Sequence, residues 1–110
     1  MPISSDQRES AALPGEGAAD GAPLSRLAAI TNRRGLHARA AAKFVKLAGR
    51  FDAAVTVVKR GTEVSGLSIM GLMMLAAGPG CTIEVRASGR EAEEALTALV
   101  DLIDAKFEEE

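Results

Sequence analysis

The stretch "NRRGLHARAAAKFVKLAG", Asn32–Gly49, contains the only histidine of the chain. Within it Ala41, Phe44, Val45 and Ala48 fall at i, i+3, i+4 and i+7, one apolar stripe of an α-helix. Gly35 marks a turn before that stripe, and Gly49 is its expected C-terminal cap. His37 therefore stands at the mouth of a helix, with Arg33, Arg34 and Arg39 around it. A helix start presents unpaired N–H groups and a partial positive charge, which suits it to anions. Arg39 is close enough in sequence to share an anion held at the ring, and Lys43 and Lys46 widen the positive field. A neutral imidazole is a nucleophile. A phosphoryl group placed on it would have its charge met by helix N–H groups and by Arg39. A solvated loop position is the commoner fate of a lone histidine, so these residues alone raise the chemistry without deciding it.

The flanking segments supply the rest of a domain. "LSRLAAITN" reads as a first strand, with Leu27, Ala29 and Thr31 on one face. "AAVTVVKR" and "TEVSG" read as strands joined by a hairpin at Arg60-Gly61. "SIMGLMMLAA", headed by Ser68, reads as a short helix broken by Gly78-Pro79-Gly80. "CTIEVRAS" alternates, with Cys81, Ile83, Val85 and Ala87 on one face. Ala92, Ala95, Leu96, Leu99, Ile103 and Phe107 make a long helical stripe, with Ser88 and Glu91 as its candidate capping box. The order β-α-β-β-α-β-α predicts an α+β domain, an antiparallel sheet covered on one face. Residues 1–23 are poor in large apolar side chains and punctuated by Pro14, Gly15, Gly17, Gly21 and Pro23. They bury too little to offset their ordering entropy, so a disordered N-terminal tail is expected there, with the folded domain over 24–110.

Composition narrows the function classes. With no Trp, no Tyr and three Phe, the core must be aliphatic. Cys81 is the sole cysteine and reads as a small buried hydrophobe. The lack of a disulfide framework and of a secretory signal in "MPISSDQRES" points to a cytoplasmic protein. The longest apolar run, Ile69 to Ala77, is too short to cross a bilayer. One histidine and one cysteine cannot make a metal centre, and no cofactor motif is present. Charge is unevenly placed. Residues 24–60 hold nine cations and only Asp52 as an acid, a net of +8, whereas residues 61–110 carry −7 and residues 1–23 carry −3. The histidine lies in the basic part.

Two motifs taken together go further. "GLHARAAAKFV" followed by "SIMGLMML" resembles the HPr phosphocarrier family of the phosphoenolpyruvate-dependent phosphotransferase system, in which NPr is the nitrogen-related relative. The likeness runs over about residues 24–107 with every element in family order. It implies an open-faced β-sandwich, four antiparallel strands with three helices on one face. It implies a phosphocarrier and not an enzyme: His37 takes a phosphoryl group on Nδ1 from phosphorylated Enzyme I and passes it to a histidine of an Enzyme IIA-type protein. Arg39 matches the family's active-site arginine. Ser68 matches its regulatory serine, the target of HPr kinase/phosphorylase where that enzyme exists. The short helix matches the docking patch, so Ile69, Met70 and Met73, with Lys43 and Lys46, are expected to meet partners while Leu72 and Leu75 enter the core. Ala40 stands where many members have proline, and alanine also suits a first helical turn. The implied carrier is a cytoplasmic monomer without metal, cofactor, nucleic acid or membrane. It serves either sugar uptake or nitrogen-type regulation. A ferredoxin-like module binding RNA or a small ligand shares the element order. Single-stranded RNA readers, however, stack bases on aromatic rings, and this chain has no Tyr or Trp.

Overall fold

The computed structural model describes residues 23–109. Four strands, β1 (Leu24–Ala29), β2 (Ala54–Lys59), β3 (Thr62–Ser65) and β4 (Thr82–Ser88), form one antiparallel sheet in the order β1-β4-β2-β3. Three helices accompany it: α1 (Ala38–Ala48), α2 (Ile69–Met74) and α3 (Ala92–Asp104), with a short 3₁₀ turn over Lys106–Glu108. The expected α+β open-faced sandwich is the architecture observed. The tail expected over residues 1–23 lies, apart from Pro23, outside the described residues, as does Glu110.

Alternation decides which face of the sheet is covered. Val55 and Val57 on β2, and Ile83, Val85 and Ala87 on β4, are buried beneath the helices. Their neighbours Thr56, Glu84 and Arg86 are only half-buried, on the open face. The covered face meets Phe44 of α1, Leu72 of α2, and Leu96, Leu99 and Ile103 of α3 in one apolar core. β2 and β3 join through Arg60 and Gly61, both at positive φ, the two-residue geometry that matches strand twist.

Two local expectations are corrected. In β1 the inward residue is Ala28, followed by Ile30 beyond the strand, and Leu27 is 73% exposed. Pairing explains it: Ala28 lies opposite Ile83 and Leu27 opposite Glu84, and residues directly opposite share a face. The capping box on α3 does not form. Ser88 ends β4, and the Glu91 carboxylate instead accepts from the Asp52 N–H at 2.6 Å. Gly49 is the C-cap of α1 as expected, in the right-handed region at φ −68°.

Candidate functional site

The loop from β1 to α1 is built to deliver His37. Gly35 adopts φ +68°, and a Cβ there would lie 2.6 Å from the Ala77 carbonyl oxygen. Only glycine admits that approach, which lets the Leu36 N–H donate to the Ala77 carbonyl at 2.8 Å. Asn32, fully buried, donates from Nδ2 to the Gly35 carbonyl at 2.8 Å and so fixes the turn from inside. Leu36 enters the core, and the next residue, His37, becomes the N-cap of α1.

At the cap the imidazole is fixed from two sides. Its Nδ1 accepts from the Arg39 backbone N–H at 3.2 Å, so this nitrogen faces the open first turn of α1. Its Nε2 meets the Glu109 carboxylate. The other oxygen of that carboxylate accepts from Asn32 Nδ2 at 3.0 Å. Desolvation pushes the Glu109 carboxyl upward, but the hydrogen bonds from Asn32 and His37 and the charges of His37 and Arg34 outweigh it, so its pKa lies below the ordinary carboxylate value. With the anion at Nε2, a neutral ring carries its proton there and leaves the Nδ1 lone pair toward the helix mouth.

Glu109 comes from far along the chain. Beyond α3 the backbone turns through Lys106, Phe107 and Glu108, all three at positive φ without a glycine. Each such residue costs about 1–2 kcal/mol, so the turn needs anchors. Phe107 is fully buried in the core, and its carbonyl accepts from Lys43 Nζ at 2.7 Å. The same ammonium lies 4.0 Å from the Glu108 carboxylate. Lys43, expected at a partner surface, thus also pins the segment that carries Glu109. Lys46 on the same helix is exposed.

Arg33, Arg34, Arg39 and Lys43 line a cleft with Glu108 and Glu109 beside the ring. The Arg39 side chain is exposed and makes no hydrogen bond or ion pair among the described residues. Ser68 is the N-cap of α2, its Oγ accepting from the Gly71 N–H at 2.9 Å. α2 packs on α1 and turns an apolar face outward: Ile69, Met70 and Met73 are exposed, joined by Leu67 and Met74, while Leu72 and Leu75 are buried. The division of this helix between surface and core is the one expected from the sequence.

Asn32 and Glu109 went unrecognised in the sequence. The signal available for Glu109 was the acidic end, Glu108 to Glu110, of a chain whose lone histidine lies in a basic segment. Nothing local marked Asn32. Among the described residues no group of His, Cys, Asp and Glu could hold a metal ion, and no helix is long and apolar enough to cross a membrane.

The site thus sets a ring nitrogen at a helix mouth among cations, an arrangement suited to an anion. Comparison with known proteins gives the family. The family model described as "PTS HPr component phosphorylation site" matches residues 24–105. The phosphocarrier protein NPr of Shewanella violacea is 46% identical over 86 residues, 78% of this chain and 94% of that protein. The phosphocarrier protein HPr of Pseudomonas aeruginosa is 51% identical over 81 residues, 73% of this chain and 90% of that one. The crystal structure of HPr-C-His from Thermoanaerobacter tengcongensis superposes with a TM-score of 0.76 at 44% identity, covering 79% of this chain and 98% of that one. This chain belongs to the HPr family of phosphotransferase-system phosphocarriers, proteins that carry phosphoryl groups between other proteins and are not enzymes. The ferredoxin-like alternative is set aside by this match.

Proposed function

We propose that the chain accepts a phosphoryl group on His37 Nδ1 from phosphorylated Enzyme I and delivers it to a histidine of an Enzyme IIA-type protein. The observation that carries this reading is the ring itself: Nδ1 lies against the first-turn N–H of Arg39, while Nε2 is held by Glu109. Attack by the Nδ1 lone pair forms the new N–P bond as the bond to the donor nitrogen breaks, and the electron pair leaves with the donor ring. The His37 ring keeps its Nε2 proton and becomes cationic. The Glu109 carboxylate faces that new charge. The phosphoryl oxygens face the first-turn N–H groups, and Arg39 has an uncommitted guanidinium to meet them. Return of the group to an acceptor reverses the same steps.

Docking falls to the exposed apolar face of α2, with Ile69, Met70 and Met73 at its centre and Lys43 and Lys46 beside it. The basic field around His37 suits acidic partners and speeds their encounter. Ser68 is the point of control. As a helix N-cap it can hold a phosphate without disturbing the fold, yet the added charge lands beside the docking face. The test is a relay: the purified chain, Enzyme I, phosphoenolpyruvate and a panel of Enzyme IIA-type proteins. The chain should be labelled first and the acceptor only in its presence. An acceptor labelled equally well without it would remove the carrier role.

A further inference from the structure

Three of the chain's four methionines, Met70, Met73 and Met74, lie together on the outer face of α2. Their exposures are 73%, 44% and 76%, although methionine is ordinarily a core residue. The helix has anchors besides them. Leu72 and Leu75 anchor it in the core, Ser68 caps its start, and Lys59 Nζ donates to the Leu75 carbonyl at its end. These side chains are therefore open to solvent oxidants, and a change at them leaves those anchors in place. Leu67 and Ile69 share the face and cannot be oxidised in this way.

We propose that Met70, Met73 and Met74 form a reversible oxidation site, through which peroxides weaken the chain's engagement with its phosphoryl donor. The proposal rests on the reading above that α2 is the donor-docking face. Each thioether sulfur takes one oxygen atom from a peroxide. The sulfur is oxidised by two electrons to the sulfoxide, and the peroxide is reduced to water or an alcohol. Sulfoxide reductases reverse the step, two thiols giving a disulfide and water as the oxygen leaves. A thioether is polarizable, flexible and apolar, fit to be pressed against a partner's apolar surface. A sulfoxide carries a strong dipole, and burying it without a hydrogen-bond donor opposes docking. Three sulfoxides on one six-residue helix would turn an apolar face polar while leaving His37 and Glu109 untouched.

The experiment uses the full chain. It is treated with hydrogen peroxide, freed of oxidant with catalase, and mapped by peptide mass. Thermal unfolding and the rate of phosphoryl uptake from Enzyme I are then measured. The expected result is oxygen addition at Met70, Met73 and Met74, a thermal midpoint close to that of the untreated chain, and uptake slowed by about tenfold or more. Methionine sulfoxide reductases should restore the rate. A Met70→Leu/Met73→Leu/Met74→Leu chain, whatever its own rate, should show the same uptake before and after peroxide, although it retains Met1 and Cys81. Unchanged uptake by the oxidised chain would overturn the proposal and leave the carrier reading intact. Equal peroxide sensitivity in the leucine chain would overturn it by placing the effect elsewhere. An untreated chain that takes no phosphate would overturn the carrier reading, and this proposal with it.

Discussion

Replacing Glu109 by glutamine changes only one oxygen to an NH₂ group, yet each of the two carboxylate oxygens has a partner of its own. The carboxylate accepts from Asn32 Nδ2 with one oxygen and faces His37 Nε2 with the other. An amide has a single acceptor oxygen. If it serves Asn32, the NH₂ group faces Nε2 as a donor and favours the tautomer with its proton on Nδ1, which removes the nucleophilic lone pair. If it serves His37, two donors confront one another at Asn32, whose Nδ2 is already fixed by the Gly35 carbonyl. Either outcome also removes the negative charge that faces the cationic ring formed on phosphorylation. A hydrogen bond to a charged group contributes about 1.5–3 kcal/mol, so uptake by Glu109→Gln should slow by about one to two orders of magnitude. The assay is rapid-quench labelling from phosphorylated Enzyme I, paired with nitrogen NMR of the imidazole to read the tautomer. Glu109→Asp, which keeps the charge on a shorter arm, should recover part of the rate. A glutamine variant with native tautomer and native rate would show that Glu109 neither sets the tautomer nor meets the ring's charge. The same contact predicts a direction with pH. The Glu109 carboxyl is lower in the folded chain than its ordinary value. Its contribution to stability is therefore complete above the ordinary carboxylate range, and it is lost as pH falls from there through the lowered folded value. In acid titrations followed by circular dichroism, the stability lost below about pH 4 should shrink in Glu109→Gln.

Other residues give separate tests. Arg39→Ala should leave stability within about 0.5 kcal/mol, since the side chain is exposed and unpartnered among the described residues. Phosphoryl uptake should nevertheless slow by about tenfold or more, read in the same quench assay. Ser68→Asp should unfold at nearly the native denaturant midpoint, because aspartate caps helices as well as serine does, yet should be phosphorylated more slowly by Enzyme I. A native rate would make the serine a cap and nothing more. Gly35→Ala should lose on the order of 1–3 kcal/mol in urea unfolding, since its φ is +68° and the new Cβ would lie 2.6 Å from the Ala77 carbonyl oxygen.

Elements were legible in the sequence wherever one pattern stood without a rival. The stripes of α1 and α3, the alternation of β4 and the turn at Arg60-Gly61 each admit a single reading. β1 does not. Leu24, Ala28 and Ile30 alternate on one phase and Leu27 and Ala29 on the other, so apolar residues occupy both. Only the register against β4, a contact remote in sequence, chooses between them. Ser88 and Glu91 have capping-box spacing, but the neighbouring Asp52 N–H competes for the Glu91 carboxylate. The site divides in the same way. His37 and Arg39 are two residues apart on the chain and their motif is local. Glu109 is 72 residues from His37 and arrives through three left-handed residues that no glycine or asparagine announces. That turn is held by burial of Phe107 and by Lys43, which are tertiary contacts and leave no local pattern.

We propose above that Nδ1 of His37 carries the phosphoryl group. This is tested most directly by incubating the chain with phosphoenolpyruvate and Enzyme I, then locating the label by mass mapping and phosphorus–nitrogen NMR. One acid-labile, base-stable phosphate per chain is expected, bonded to Nδ1 of His37, and none on a folded His37→Ala chain. Label on Nε2, label persisting in His37→Ala, or no label on the native chain would contradict it.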